Sequence, residues 1–275
     1  MSGPTARVYT LDTVIAGSST SLSASSTFDS TWADHREAAT KSQIAPKMTS
    51  QDITATEKAI YFDLTSALIQ DMKALYNIDA EAELLREAAN EIARELNYSF
   101  LELLRAGATA SSQTYGTGKP TGYTSDIEWY RMLSLFIAKV GGAIAEKVYT
   151  PANYMVVAPQ CAPLLSATKD YQKFDVPMQY GAGLRGTGTF SSDYKVFVAE
   201  WFTANTMLVI AKGDSWLKSG AVFAPYIPLF ISPVDYVPSN NTLSRSVTSR
   251  NGQVVLNGEF YGLITVDTST GVAPF

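Results

Sequence analysis

The sequence predicts a mixed α+β protein. Two observations favour this class: a long amphipathic helical pattern covers residues 79–106, and short apolar segments typical of buried strands recur in the second half without a regular βαβ alternation. A chain of 275 residues with 46% hydrophobic residues can bury a sizeable core, in one large or two intertwined domains. The low charged fraction, 17%, is a sign that part of the surface is buried between subunits.

Charge and composition argue against several classes of protein. The net charge is −5, from 21 Lys and Arg against 26 Asp and Glu, and no basic stripe or tail suited to gripping nucleic acid is present. No apolar run reaches the roughly 20 residues that span a bilayer, and residues 1–12 lack a secretory pattern. The single cysteine, Cys161, cannot form an intrachain disulfide. We therefore expect a soluble protein made and used in the cytoplasm.

The first 61 residues contain little that could build a core. Residues 1–30 are rich in Ser, Thr and Ala, which predicts either a disordered tail or an arm that orders against a neighbouring subunit. Residues 32–61 are mixed in pattern and interrupted by Pro46, and they suit two extended strands joined by a turn. Such a hairpin has too few apolar residues to stand alone, so we expect it to lie on a partner.

Two helices follow. Residues 62–76 place apolar side chains on one face, and Asn77-Ile78 ends the pattern; the apolar residues are Leu64, Leu68, Met72 and Leu75. Residues 79–106 form the clearest element, with apolar residues at spacings of three and four: Ile78, Ala82, Leu85, Ala89, Ile92, Leu96, Phe100 and Leu103. Asp79 is a good N-cap and Gly107 a good stop. At 1.5 Å per residue this helix is about 40 Å long.

The rest of the chain alternates short elements with loops. Residues 109–124 and 171–192 read as loops, and residues 126–148 read as a helix with a weak or close-packed point at Gly141-Gly142. Strands are predicted over 154–158, 194–200 and 207–212, a short helix over 159–168, and one or two strands over 253–267. Residues after Ala221 are rich in Pro and aromatic side chains.

Two glycine-rich motifs resemble nucleotide sites but lack their context. Gly181–Gly186 matches G-x-G-x-x-G, yet the neighbouring residues predict neither the preceding strand nor the following helix that a pyrophosphate site needs. Gly116-Thr-Gly-Lys119 is followed by Pro120, where a phosphate loop needs Ser or Thr to reach Mg²⁺, and it follows a helix instead of a strand. Both segments are interpreted as loops.

No group of residues forms a recognisable active site. A row of carboxylates, Glu83, Glu87, Glu91 and Glu95, has the spacing of half a di-metal site. The helix contains no histidines, which such a site needs. Arg86 and Arg94 lie three residues after Glu83 and Glu91, so we expect ion pairs between them. The only histidine, His35, lies in a polar stretch, and Cys161 reads as a small buried hydrophobic residue. We therefore predict no catalytic, cofactor-binding or metal-binding residues and no cofactor.

Three segments resemble the major capsid proteins of T-even-like tailed bacteriophages, which have the HK97 fold. The most specific is LIQDMKALYNIDAEAEL at residues 68–84, which continues through NEIARELN at 90–97. The others are YMVVAP at 154–159 and APYIPL at 224–229. They lie in the family's order and cover most of residues 50–265.

The resemblance implies an HK97-like capsid fold in five parts. Residues 1–30 would be the N-terminal arm, and residues 31–61 the E-loop, an extended loop that lies over a neighbouring subunit. Residues 62–149 would form the peripheral domain with its spine helix at 79–106. Residues 150–221 would form the axial domain, and residues 222–275 would return to the peripheral domain.

The resemblance also implies a function and partners. The chain would assemble with itself as pentamers and hexamers into an icosahedral or elongated head, within the virion, around double-stranded DNA that it binds without sequence specificity. Portal protein, and scaffold or decoration proteins, would be further partners, and no membrane is involved. Two alternatives stay open: an encapsulin-like nanocompartment shell, and a small soluble nucleotide-binding enzyme.

The chain departs from the family in length, because it is much shorter than typical members. Some HK97-fold shells crosslink an E-loop lysine to an asparagine of another subunit, with the help of a buried glutamate. Lys41, Lys47 and Glu259 lie in plausible regions, but the T-even-like resemblance does not imply this chemistry. Residues 107–121 and 181–188 are expected to be the joints that adapt the subunit to five-fold and six-fold positions, since glycine tolerates many backbone angles.

Overall fold

The structure, a computed structural model, describes residues 3–15, 44–120, 125–179, 183–213 and 219–267. The chain divides into two compact units. Unit 1 comprises residues 1–6, 52–100 and 223–254, and unit 2 comprises residues 7–51, 101–222 and 255–275. The α+β class is confirmed, since each unit combines helices with a sheet.

The N-terminal part contains two long strands that pair with each other. Strand β1 (Thr5–Ile15) and strand β2 (Ile44–Thr54) form a two-stranded sheet. Residues 5–15 are therefore not a disordered tail, whereas residues 16–43 lie outside the described part of the chain. The extended conformation predicted within 32–61 is confirmed from residue 44 onward. Strand β2 pairs with β1, however, and not with the strand that follows it.

Unit 1 is built on an antiparallel sheet whose centre is β12 (Thr242–Val255). Strand β3 (Thr56–Thr65) pairs with β12 through ten residues, from Thr65 opposite Thr242 to Thr56 opposite Asn251. Strands β10 (Ala221–Ile231) and β11 (Asp235–Val237) also pair with β12. The sequence pattern had indicated a strand only from residue 253, so most of β12 was missed.

Helix α1 (Ser66–Tyr76) begins later than predicted. Residues 62–65 belong to β3 because their pairing with β12 outweighs the helical spacing of Leu64. The Thr65 side chain then accepts a hydrogen bond from the Leu68 amide and caps the helix. The predicted end is confirmed: Asn77 adopts the left-handed conformation, with φ 53°, and its amide donates to the Lys73 carbonyl.

Helix α2 (Ala80–Ala106) matches the predicted long helix. Asp79 caps it, because its Oδ1 accepts hydrogen bonds from the amides of Glu81 and Ala82. Glu81 and Glu83 lie in the first turn, where the helix dipole favours anions, and Arg105 lies in the last turn. The Gly107 amide still donates to the Leu103 carbonyl at 2.9 Å, and the helix ends there.

The core of unit 1 is small. Ala88 and Ile92 of α2 pack against Val247 of β12, and four partly buried residues surround them: Ile60, Phe62, Leu85 and Leu96. Polar contacts flank this core within the unit. Arg245 pairs with Glu81 near the start of α2, and Gln253 hydrogen bonds to Ser99 further along it.

Unit 2 contains a seven-stranded mixed sheet in the order β4-β13-β9-β5-β8-β7-β6. Its strands are β4 (Ser111–Gly116), β5 (Tyr154–Val157), β6 (Tyr171–Gln179), β7 (Leu184–Phe190), β8 (Tyr194–Ala199), β9 (Thr206–Ile210) and β13 (Tyr261–Asp267). Strands β13 and β4 are parallel, as are β5 and β8, and the other neighbours are antiparallel.

Two segments predicted as loops are strands of this sheet. Residues 111–116 form β4 because they pair with β13 and bury Tyr115, whose ring stacks on Trp129 at 5.3 Å. Residues 171–192 contain β6 and β7, which pair with each other and with β8. Their glycines and threonines have weak strand signals, so pairing within the sheet decides their conformation.

The helices of unit 2 cover the sheet. The helix predicted over 126–148 is divided at Met132 into α3 (Asp126–Arg131) and α4 (Leu133–Val148). Gly262 of β13 lies against Val140 and Ile144 of α4. After β5 come a 3₁₀ turn (Pro159–Cys161) and helix α5 (Ala162–Ser166), which confirm the predicted short helix.

Candidate assembly surfaces

The last three residues of the glycine motif at 181–186 belong to strand β7 of unit 2. Strand β6 precedes the motif, which corrects the expectation that no strand would, and strand β7 takes the place of the following helix. Gly183 has φ 76°, a conformation that favours glycine, while residues 180–182 lie outside the described part. Because a strand follows, this turn offers no helix N-terminus to a pyrophosphate.

The Gly116–Lys119 segment also differs from its predicted context. It follows strand β4, not a helix as we expected. Thr117 is buried, and its amide donates to the Asp267 carbonyl at 2.9 Å, so part of the segment extends the β4–β13 pairing. Pro120 still occupies the position where a phosphate loop needs a hydroxyl side chain.

The carboxylate row on α2 is an ion-paired surface, as predicted. Arg86 pairs with Glu83, and Arg94 pairs with Glu91, each three residues further along the helix. Glu95 accepts a hydrogen bond from Lys58 of β3 at 2.7 Å. Within the described ranges, no group of three or more His, Cys, Asp and Glu residues could hold a metal ion.

Of the remaining chemically reactive candidates, Cys161 and Glu259 lie in the described part of the chain, and they do not form a site there. Cys161 is 1% exposed, and burial raises the pKa of its thiol to about 12, which confirms the interpretation as a buried hydrophobic residue. His35 and Lys41 lie outside the described residues. The amide of Glu259 donates to the Asn257 side chain in a short 3₁₀ turn (Gly258–Phe260). A crosslink involving Lys41, Lys47 or Glu259 therefore stays untested.

One ionic cluster in unit 2 ties the end of α2 to the loop before β9. Arg105 hydrogen bonds to the carboxylate of Glu102, and the Thr203 hydroxyl donates to the same carboxylate at 3.0 Å. The hydrogen bond from Arg105 lowers the pKa of Glu102, assisted by Thr203 and opposed by partial burial. This arrangement is a structural clamp.

Exposed apolar side chains are the most unusual feature of unit 1. Helix α1 buries none of its eleven residues, although it is rich in apolar ones. Leu75 is 74% exposed and Tyr76 68% exposed, and Leu68 and Ile78 are also exposed. A helix this short is marginal in water unless an apolar face packs against something. The face of α1 is therefore suited to contact with another molecule.

A second exposed apolar surface lies at the end of β10 and continues through β11. Three successive residues of β10 are exposed, Leu229, Phe230 and Ile231, so side chains on both faces of the strand are uncovered. Val234 and Tyr236 extend this surface. A depression of about 430 Å³ lies beside them, lined by Tyr61, Pro233 and Val234 together with the Ser244–Ser246 segment. Such patches typically mark protein contacts.

These two surfaces are candidate contact surfaces that the sequence alone did not locate. The signal was present in the run PYIPLFI at 225–231, because an apolar run with no polar alternation needs cover on both faces. The structure also shows, in its described part, no helix long and apolar enough to cross a membrane.

Comparison with known sequences indicates one family. The family model described as major capsid protein Gp23 matches residues 4–272. The major capsid protein of Serratia phage KSP90 is 25% identical over 190 residues, which cover 64% of this chain and 43% of that protein. The major capsid protein of Vibrio phage KVP40 is 22% identical over 204 residues, covering 66% and 40%. The chain thus spans less than half the length of the curated relatives it matches.

Solved structures show the same fold. A chain from Mycobacterium phage Adephagia superposes with a TM-score of 0.62 at 11% identity, covering 98% of this chain and 87% of that one. A chain from the capsid of Myoviridae phage XM1 gives a TM-score of 0.58 at 10% identity, covering 96% and 86%. These similarities confirm the predicted HK97-like fold.

Proposed function

Because the chain belongs to the major capsid protein Gp23 family, we propose that it is a structural subunit that assembles with itself into the closed head shell of a tailed phage. In this proposal pentamers and hexamers of the chain form an icosahedral or elongated shell within the virion, and the chain performs no catalysis. The expectation of family membership from the QDMKALYNIDAEAEL run is confirmed.

The observation that carries the proposal is the uncovered apolar surface of unit 1. Its internal core centres on Ala88, Ile92 and Val247, while α1 and the end of β10 leave large side chains in water. Burying apolar surface contributes about 25 cal/mol per Å². Contacts between copies would therefore stabilise the assembled form, and many weak contacts act together in a closed shell.

The charge of the chain supports a shell that encloses DNA without gripping it. The net charge of −5 opposes tight binding of the phosphate backbone. We therefore propose that packaged double-stranded DNA is a neighbour and not a sequence-specific ligand. Portal protein, and scaffold or decoration proteins, are further proposed partners on the basis of the family.

Negative-stain electron microscopy of the expressed chain tests the proposal. We expect closed particles for the wild type and none for Leu75→Asp, which places a charge on the exposed apolar face of α1. Gln70→Asp is the matched control, since Gln70 is exposed on the opposite side of the same helix and its variant should still assemble.

A wild-type chain that stays monomeric and binds a nucleotide would overturn the proposal in favour of a small enzyme. Particles that enclose protein cargo in place of DNA when produced in their natural setting would indicate a nanocompartment shell instead. Normal particles from Leu75→Asp would show that α1 is not a contact surface.

A further inference from the structure

The sheet of unit 1 has an acidic patch on the face that α2 does not cover. Ser244 of β12 lies opposite Asp63 of β3 and opposite Asp235 of β11. Residues directly opposite each other in antiparallel strands point to the same face. Helix α2 packs on Val247, three residues further along β12, so Ser244 and both aspartates point away from α2. Both aspartates are exposed.

The depression of about 430 Å³ beside β11 lies on this same face. Its lining combines serine hydroxyls and one carboxylate with three apolar or aromatic side chains, Tyr61, Pro233 and Val234. Arg245 also lines it, but its guanidinium is paired with Glu81 and donates to a backbone carbonyl. Such a depression suits an aromatic side chain with a polar end, accompanied by a cation.

The last turn of α1 carries such a pair of side chains. Tyr76 is 68% exposed, and Lys73, which is also exposed, lies three residues before it on the same side of the helix. At 3.6 residues per turn, Asp71 is rotated about 140° from Tyr76. The cation, and not the carboxylate, therefore accompanies the tyrosine ring.

Asn241 joins the start of α1 to the turn between β11 and β12. The Ser66 amide donates to the Asn241 carbonyl at 3.1 Å. The hydroxyls of Ser66 and Tyr236 donate to Oδ1 of Asn241 at 3.1 Å and 2.7 Å. The backbone of Asn241 has φ 50°, a conformation that glycine and asparagine adopt more readily than other residues. These bonds fix the direction of α1 relative to the depression, so Asn241 is a positioning residue.

We propose that the last turn of α1 in one copy of this chain docks into the depression beside β11 of a second copy. The Tyr76 ring then packs on Pro233 and Val234, and Lys73 lies beside the carboxylates of Asp63 and Asp235. The docking turn and the depression are different patches of one subunit, so the contact is head-to-tail and closes into a ring when the rotation between copies permits. The inference rests on the proposed function, since it concerns how copies meet within the shell.

Charge selects a second copy as the occupant. The acidic depression repels the phosphate backbone of DNA. Each copy carries both the depression and the exposed turn with Lys73 and Tyr76, so every copy supplies what the next one needs. One helical turn covers far less than the roughly 800 Å² per partner of a standard interface. The contact is therefore weak alone and adds to the other contacts of a shell.

A charge exchange tests the contact. Lys73→Glu and Asp235→Lys should each lose most particle formation in negative-stain micrographs, because each places like charges together. The double variant restores opposite charges and should recover the particles. Ala74→Glu is the matched control, since Ala74 is exposed and rotated about 160° from Tyr76, and it should assemble normally.

A pair of cysteines tests the head-to-tail arrangement. In particles under mild oxidation, the double variant Tyr76→Cys, Val234→Cys should give disulfide-linked chains longer than dimers on a non-reducing gel, because each copy contacts two others. A disulfide needs Cα atoms about 4.4–6.8 Å apart, so each single variant should stay unlinked. The native Cys161 is buried, so the wild type should also remain unlinked.

Substitutions at Asn241 test its positioning role. Asn241→Gly permits the same backbone conformation but removes the Oδ1 acceptor, so the yield of linked chains from the double-cysteine variant should fall. Asn241→Asp retains that acceptor and should link like the parent. Asn241 is exposed, so thermal unfolding of both variants should stay near that of the wild type. Equal yields of linked chains in the two variants would overturn the positioning role.

The outcomes separate the two proposals. If the wild type forms no particles, the proposed shell function fails. If the wild type and both single charge variants form particles equally well, the docking of α1 is overturned and the shell function stands. A linked dimer in Tyr76→Cys alone would show two-fold pairing and overturn the head-to-tail arrangement. Should the double-cysteine variant fail to assemble or to link, the charge exchange decides alone: recovery in its double variant supports the contact, and no recovery overturns it.

Discussion

Gly258 should be one of the least replaceable residues in unit 2. It begins the short 3₁₀ turn before β13, and a Cβ atom there would lie 2.0 Å from the Gly107 carbonyl oxygen and 2.7 Å from the Thr109 hydroxyl. The Thr109 amide also donates to the Gly258 carbonyl at 3.0 Å. The obstructing atom belongs to the backbone at the end of α2, so it cannot rotate away as a flexible side chain could.

The cost of Gly258→Ala follows from these contacts. Gly183 is the one described glycine with positive φ, so at Gly258 the penalty is steric and not conformational. Overpacking costs about 1–3 kcal/mol, and weakening the hydrogen bond from Thr109 costs about 1 kcal/mol more. We expect a loss of about 2–4 kcal/mol, which lowers the unfolding midpoint of a chain of this size by about 3–7 °C.

Thermal unfolding of the unassembled chain, followed by circular dichroism at matched concentration, measures this effect. Gly142→Ala is the matched control, because its Cβ meets no described atom within 4 Å. That variant should gain about 1 kcal/mol from helix propensity and unfold at a higher temperature. A Gly258→Ala chain that unfolds at the wild-type temperature or above would refute the steric reasoning.

Three further predictions concern the core, the ionic clamp and the thiol. Ile92→Ala should lower the free energy of unfolding in urea by about 2–4 kcal/mol, because it leaves a cavity in the small core of unit 1. Leu84→Ala, at a 37% exposed position, should lower it far less. Equal losses in the two variants would contradict the assigned core. Since the pKa of Glu102 is lowered in the folded chain, its contribution is present above its unfolded pKa and is lost as pH falls through the folded value. Unfolding midpoints between pH 3 and 7 should therefore fall less steeply with acid in Glu102→Gln than in the wild type, and identical profiles would count against the clamp with Arg105. The Cys161 thiol, with a pKa of about 12, should react with a thiol reagent at pH 8 only after unfolding; rapid reaction of the folded chain would show that it is accessible.

Local signals were sufficient for the long helix and its ends. Asp79, the early glutamates and Gly107 act within one turn of their own positions, so the bounds of α2 could be predicted from neighbouring residues alone. The buried face of α2 was predicted less accurately than its ends. Ile92 is buried and Leu85 partly buried, but Ile78 and Ala82 are exposed, because the partner strand β12 covers only part of the helix face.

Pairing between distant residues decided what the local signals could not. Residues 111–116 and 184–190 are strands although Ser, Thr and Gly dominate them, because β13 and β8 supply their hydrogen bonds. Pairing of β3 with β12 likewise delays the start of α1 to Ser66. The β4–β13 and β3–β12 pairs join residues far apart in sequence, so no local window contains that information. Strands β7 and β8 are instead neighbours in sequence and form a hairpin, whose glycines and threonines give only a weak strand signal.

The α+β class, the long capped helix and the absence of a recognisable catalytic motif were determined by the sequence itself, because they depend on composition, periodicity and neighbouring residues. Family membership could be predicted from the QDMKALYNIDAEAEL run because that pattern also depends only on neighbouring residues. The surfaces suited to assembly emerged only in the tertiary structure. Whether Leu75, Phe230 or Tyr76 is covered depends on which elements pack beside it, and that follows from long-range strand pairing and helix packing.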